Sequence, residues 1–159
     1  MRGGTEVEAL VSLLMTPRWR GLHWLGTRLL DGVPSSVCTS RTWVTAQLST
    51  SVPDVPVETL DIVKLLTSEL VTNAIVHSRS RDGLLFVHLG VSPPGRGAVI
   101  HVEVLDVGSD NGPPVVRTDP DGDSGRGLFL VDTLSRRWGT ADAKPGRAVW
   151  FQAPYTPSP

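Results

Sequence analysis

The stretch from Val57 to His77 constrains this chain most. Leu60, Ile62, Val63, Leu65, Leu66, Leu70, Val71, Ala74, Ile75 and Val76 wrap almost all round a helix. A helix that is apolar on most faces is a buried one. Its polar interruptions then need a reason. Glu69, Asn73 and His77 stand at i, i+4 and i+8, so they share one stripe. Asparagine is a poor helix former, and an unpaired glutamate is costly to bury. The stripe is either a solvated edge joined by an i, i+4 hydrogen bond or an oxygen-rich edge facing a ligand. In the second case the Asn73 amide oxygen suits Mg²⁺, which takes a few protein oxygens plus substrate phosphates. A nearby carboxylate such as Glu69 can orient or deprotonate an attacking hydroxyl or water.

Around this helix the chain reads as one domain. With 159 residues and 40% hydrophobic content it can bury about 70% of its unfolded surface. The formal net charge of -1 argues against attachment to nucleic acid or anionic lipid by bulk charge. Cys38 is the single cysteine, which rules out an intrachain disulfide and disfavours a cysteine-based zinc site. No run reaches the ~18 apolar residues of a membrane helix, so a cytoplasmic protein is expected. Residues 1–24, with Trp19 near Pro17 and Gly21, read as a tail or docking segment. A short strand follows, over Trp24 to Leu30. Pro34 and Ser35 start a helix, with serine as its cap and Val37, Arg41, Val44 and Leu48 at helical spacing. Two strands come after the central helix, Leu84 to Val91 and Ala98 to Asp106. In the second, Ile100, Val102 and Val104 share a face, and His101 and Glu103 point the other way. A long Gly/Pro/Asp/Ser-rich loop from Gly108 to Gly125 has the length of a lid or binding loop. A helix over Arg126 to Arg136 and strands near Arg137 to Ala141 and Arg147 to Ala153 complete the domain, leaving 154–159 as a frayed tail. The order β-α-α-β-β-loop-α-β-β predicts an α+β fold. It is a two-layer α/β sandwich with a mixed, mostly antiparallel sheet and helices on one face.

Two further features carry possible chemistry. Asp106 falls on the apolar face at its strand's end, where a carboxylate must find donors. It is either a turn-initiating aspartate bonded to the backbone of Val107 and Gly108, or an acceptor for a ligand's amino group. Gly108 would then allow close approach. Gly125-Arg126-Gly127-Leu128 precedes a helix. Free N–H groups at a helix start hold phosphate, and Arg126 adds charge. Other motifs fail. There is no G-x-x-x-x-G-K-[ST] and no G-x-G-x-x-G after a strand. Gly122-Asp123-Ser124-Gly125 echoes a serine-protease nucleophile region, but the chain cannot house the two barrels that site needs. His23, His77, His88 and His101 lack metal-ligand spacing.

Taken together, these segments resemble a known family. Ser68-Glu69-Leu70-Val71-Thr72-Asn73-Ala74-Ile75-Val76-His77-Ser78 is similar to the N box of GHKL (Bergerat-fold) ATPases. Leu105-Asp106-Val107-Gly108-Ser109 resembles their first glycine box, and Gly125-Arg126-Gly127-Leu128 with Leu130-Val131 the second. Arg137-Trp138-Gly139 and Gly146-Arg147-Ala148-Val149-Trp150-Phe151 look like the ending of the small anti-sigma factor serine/threonine kinases of actinobacterial type. The resemblance spans residues 27–153 and implies the histidine-kinase-like ATPase fold with ATP between helices and a lid. It implies that Asn73 holds Mg²⁺, that Glu69 is the general base and that Asp106 accepts from the adenine amino group. Gly108, Gly125, Arg126, Gly127 and Leu128 would shape the lid and phosphate site. The implied partners are an anti-sigma antagonist, phosphorylated on serine, and a sigma factor held on the same surface; a homodimer is a further assembly it allows.

The chain also departs from the pattern. Asp110 stands where D-x-G-x-G places its second glycine, and Ala148 where threonine or serine is frequent. The long dimerisation helices of sensor histidine kinases have no counterpart, so autophosphorylation on histidine is not expected. Three readings follow: an active protein kinase, a partner-binding module with ATP as a structural ligand or none, and simple ATP hydrolysis within a larger assembly. Retention of Glu69 and Asn73 favours the first, and the altered glycine boxes favour the second.

Overall fold

Nine residues, His23–Asp31, form β1, with Leu30 the buried one among them. The helix Ser35–Ser51 (α1) and the helix Val57–His77 (α2) follow, then β2 (Leu84–Val91) and β3 (Val99–Asp106). A helix Arg126–Leu134 (α3) leads into β4 (Arg137–Ala143) and β5 (Gly146–Pro154). The computed structural model describes residues 19, 21–77, 83–106, 126–143 and 146–156. The expected order of elements holds throughout, and the fold is the α+β sandwich read from the sequence. All four strand pairings are antiparallel, in the order β1-β2-β3-β5-β4.

Period-two alternation divides each inner strand between two faces. Leu85, Val87 and Leu89 of β2, Ile100, Val102 and Val104 of β3, and Phe151 and Ala153 of β5 join one core cluster. Val44 and Leu48 of α1, Val63, Leu66, Leu70 and Val71 of α2, and Val131 of α3 close that cluster from the helix side. The predicted face of α1 shifts by one position. Ser36, Ser40, Val44 and Leu48 point inward, and Arg41 is exposed. The Ser35 cap is also corrected: Pro34 occupies the N-cap with no side-chain hydrogen bond. Ser36 Oγ instead donates to the Asp31 carbonyl at 2.6 Å, tying α1 back to β1. On α2, burial covers most of the apolar surface, yet Leu65 and Val76 are exposed. Among the described residues no helix is long and apolar enough to cross a membrane.

The sheet's other face is not a plain solvated surface. His88, His101, Glu103 and Gln152 are buried there. Thr27 Oγ1 and His88 Nδ1 lie 2.8 Å apart. Trp19 Nε1 donates to Glu103 Oε2 at 3.1 Å, and its ring meets Trp150 edge-on at 4.5 Å. Trp24 and Trp150 add further contacts to His101. Large aromatic surfaces with polar tips suit a layer that is apolar in bulk yet must satisfy buried donors. Phe86, Leu105 and Ala148 form a second, smaller apolar cluster, with Ala141 packed against it.

Gly139 is the point of closest approach on that face. A Cβ there would lie 2.8 Å from Cζ2 and 3.1 Å from Cε2 of Trp150. The same ring is held beneath the Arg137 guanidinium, 6.0 Å from its centroid. Gly139→Ala is therefore expected to overpack the β4–β5 hairpin and destabilise the domain by about 1–3 kcal/mol. Urea unfolding monitored by circular dichroism measures it; a midpoint unchanged from the wild type would show that the Trp150 ring has free room.

The expected C-terminal tail needs one correction. β5 continues through Pro154, and Tyr155 is buried in the main core, its N–H donating to the Ala98 carbonyl at 3.1 Å. An aromatic ring with a backbone partner stays in the core rather than fraying.

Candidate nucleotide site

Glu69 faces α3. If Gly127 carried a Cβ, that atom would stand 3.4 Å from both Cβ and Cδ of Glu69 and would overlap its carboxylate oxygen Oε2. A glycine at this position thus leaves room for the carboxylate against the first turn of α3. The first turn of any helix carries N–H groups without an intrahelical acceptor and the positive end of the helix dipole. Partial burial pushes the Glu69 carboxyl above its usual pKa, because desolvation disfavours the charged form. A carboxylate raised in this way is better suited to take a proton near neutral pH.

Asn73 sits one turn further along α2, half-buried. The described residues contain no group of three or more His, Cys, Asp and Glu able to hold a metal. A single protein oxygen with the remaining ligands from phosphate and water is the coordination that Mg²⁺ accepts. An amide oxygen such as that of Asn73 is a donor that suits that ion. Leu128 is buried behind Gly127. Arg126 opens α3 through its backbone. Gly108 and Gly125, and with them the expected lid, lie outside the described residues.

Asp106 ends β3 on the helix side, buried to 4% exposure, as its strand position predicted. Its cross-strand partner in β5 is Arg147. This register corrects the reading of Ala148. Ala148 pairs with Leu105 and is wholly buried in the small cluster on the opposite face. A hydroxyl at that position would not reach a ligand beside Asp106. The side chain that shares the Asp106 face is Arg147, a residue to which the sequence assigned no role. The alternation of Val149, Phe151 and Ala153 on the inner face carries the signal, but adjacent Trp150 and Phe151 obscure it. The structure thus brings Glu69 to Gly127 and Asp106 to Arg147. Asn73 connects to the first pair through the helix it shares with Glu69.

A family model described as the histidine kinase-like ATPase domain matches residues 33–153. A search of curated proteins returns no match.

Proposed function

The chain belongs to the histidine kinase-like ATPase domain family and carries its ATP-binding fold, and from that premise we propose that it is a regulatory serine/threonine kinase. Its substrates are Mg-ATP and a serine of an anti-sigma antagonist protein. The same surface holds a sigma factor, and the protein works in the cytoplasm. One observation carries the catalytic reading: the Glu69 carboxylate, raised in pKa, lies against Gly127 at the start of a helix.

In this reading Asp106 accepts from the base amino group, and the first turn of α3 receives phosphate oxygens. Asn73 holds Mg²⁺, which neutralises charge on the phosphates when bound. Glu69 takes the proton of the attacking serine hydroxyl. The new bond joins that oxygen to the γ-phosphorus, the bond from the γ-phosphorus to the bridging oxygen breaks, and ADP leaves. Phosphoryl transfer depends on positioning and charge more than on covalent chemistry, so so few side chains suffice.

Asp110, in place of the second glycine of its box, favours a second reading. There the chain binds its partner with ATP as a structural ligand or none, and transfers nothing. Calorimetric titration with ATP, with and without Mg²⁺, separates the two when paired with transfer from labelled ATP to antagonist proteins. The kinase reading expects Mg-dependent binding that weakens by about tenfold or more in Asn73→Ala, since losing even a group that only supports a metal ligand costs about that much. Tight partner binding with no nucleotide uptake and no transfer would leave the binding module as the answer.

A further inference from the structure

Arg147 is the charged side chain that the proposed chemistry leaves unused. It stands opposite Asp106 across the β3–β5 ladder, on the helix side of the sheet. Its Nε–H is buried and meets no acceptor among the described residues. Buried donors without a partner are rare, because the lost hydration is not recovered. Directly opposed residues of an antiparallel pair carry Cβ atoms ~4.5–5.5 Å apart. A carboxylate acceptor and a guanidinium donor therefore stand side by side at one end of the site.

That pair is complementary to a ligand edge with a donor beside an acceptor. Adenine has such an edge, its 6-amino group adjoining the ring nitrogen N1. Resting on the reading of Asp106 as the acceptor for the base amino group, we infer that Arg147 is a second base-reading residue. Its Nε–H donates to N1 of adenine. A guanidinium offers donors in a fixed fork and no acceptor, so it complements N1 of adenine and not an N–H. The contact adds a second point of recognition, and it ties β5 as well as β3 to the base. Guanine would offer the same pair its N1–H and O6, which makes GTP the competing ligand.

The test uses the full chain and isothermal titration with ATP, 1-deaza-ATP, which lacks the N1 acceptor, and GTP. Wild-type protein is expected to bind ATP about tenfold more tightly than 1-deaza-ATP, the scale of one hydrogen bond to a charged group. Arg147→Ala should lose about tenfold for ATP and little for 1-deaza-ATP, so that the two losses do not add. Arg147→Lys keeps the charge and moves the donor; it should behave like the alanine variant. Wild-type affinity for ATP in Arg147→Lys would mean that Arg147 acts only by attracting the phosphates, and would overturn the inference. Equal binding of ATP and 1-deaza-ATP by the wild type would overturn it without any variant, as would a preference for GTP. Absence of any ATP binding would remove the ATP reading itself. ATP binding untouched by Arg147→Ala would leave that reading standing and remove Arg147 from it.

Discussion

Glu69→Gln should leave ATP bound and lower phosphoryl transfer by about 10²- to 10⁴-fold, the range of a lost general base. Glutamine keeps the size of the side chain and its place against Gly127 but accepts no proton. The pH profile gives an independent check. Wild-type transfer should rise as Glu69 ionises, through a carboxyl pKa that burial has lifted above its ordinary value. The glutamine variant should lack that limb. Stability moves the other way. A carboxyl whose folded-state pKa is raised holds its proton more tightly in the native state, so the native state binds more protons than the unfolded one across that window. The stabilisation is complete below the unfolded pKa and is lost as pH rises through the folded pKa. Glu69→Gln should therefore remove this decline, and thermal unfolding from acid to neutral pH would show it. Unaltered transfer in the variant would take Glu69 out of the mechanism.

Phe151→Ala has the largest expected effect on the fold. The ring is fully buried in β5, and its backbone partners are Val102 of β3 and Trp138 of β4. Truncating such a side chain costs about 3–5 kcal/mol through lost burial and the cavity left behind. Domains are stable by only about 5–15 kcal/mol, so the variant would lose a large share of its margin. Phe151→Leu keeps most of the volume and should cost far less. Guanidinium unfolding of the three proteins measures both. A loss below about 1 kcal/mol for the alanine variant would show that the core collapses around the gap.

How far the sequence disclosed this molecule depends on how far local pattern determines structure. The central helix was legible from Val57 to His77, because its apolar density leaves no other burial scheme. The faces of β3 were legible because Ile100, Val102 and Val104 alternate with His101 and Glu103. Asp106 could therefore be placed on the apolar, helix-side face before any coordinates. β5 resisted the same treatment. Arg147-Ala148-Val149-Trp150-Phe151 has apolar residues at consecutive positions, since both faces of the sheet are covered there, and alternation vanishes. Pattern alone therefore points to Ala148 rather than to Arg147 as the site position. The partnership of Glu69 with Gly127 was equally invisible. The two residues are distant in sequence, and only the packing of α3 on α2 brings them together. Ser35 looked like a cap by residue type, but the chain enters α1 with Pro34 already helical. Tyr155 looked like part of a tail because prolines surround it, while its burial depends on Ala98 at the far end of the sheet.

The strand order has a consequence for how the protein is made. β5 is the last strand in the sequence, yet it is inserted between β3 and β4. Until residues 146–154 leave the ribosome, β3 has an unpaired edge of hydrophobic residues that invites intermolecular pairing. A nascent chain can pair β1, β2 and β3 early but cannot close its core. The β3–β5 ladder also spans the stretch proposed as the ATP lid, so its closure carries the entropy of that long connection. Between the emergence of β3 and that of β5 the nascent chain therefore exposes an aggregation-prone edge, and the arrival of β5 ends the exposure.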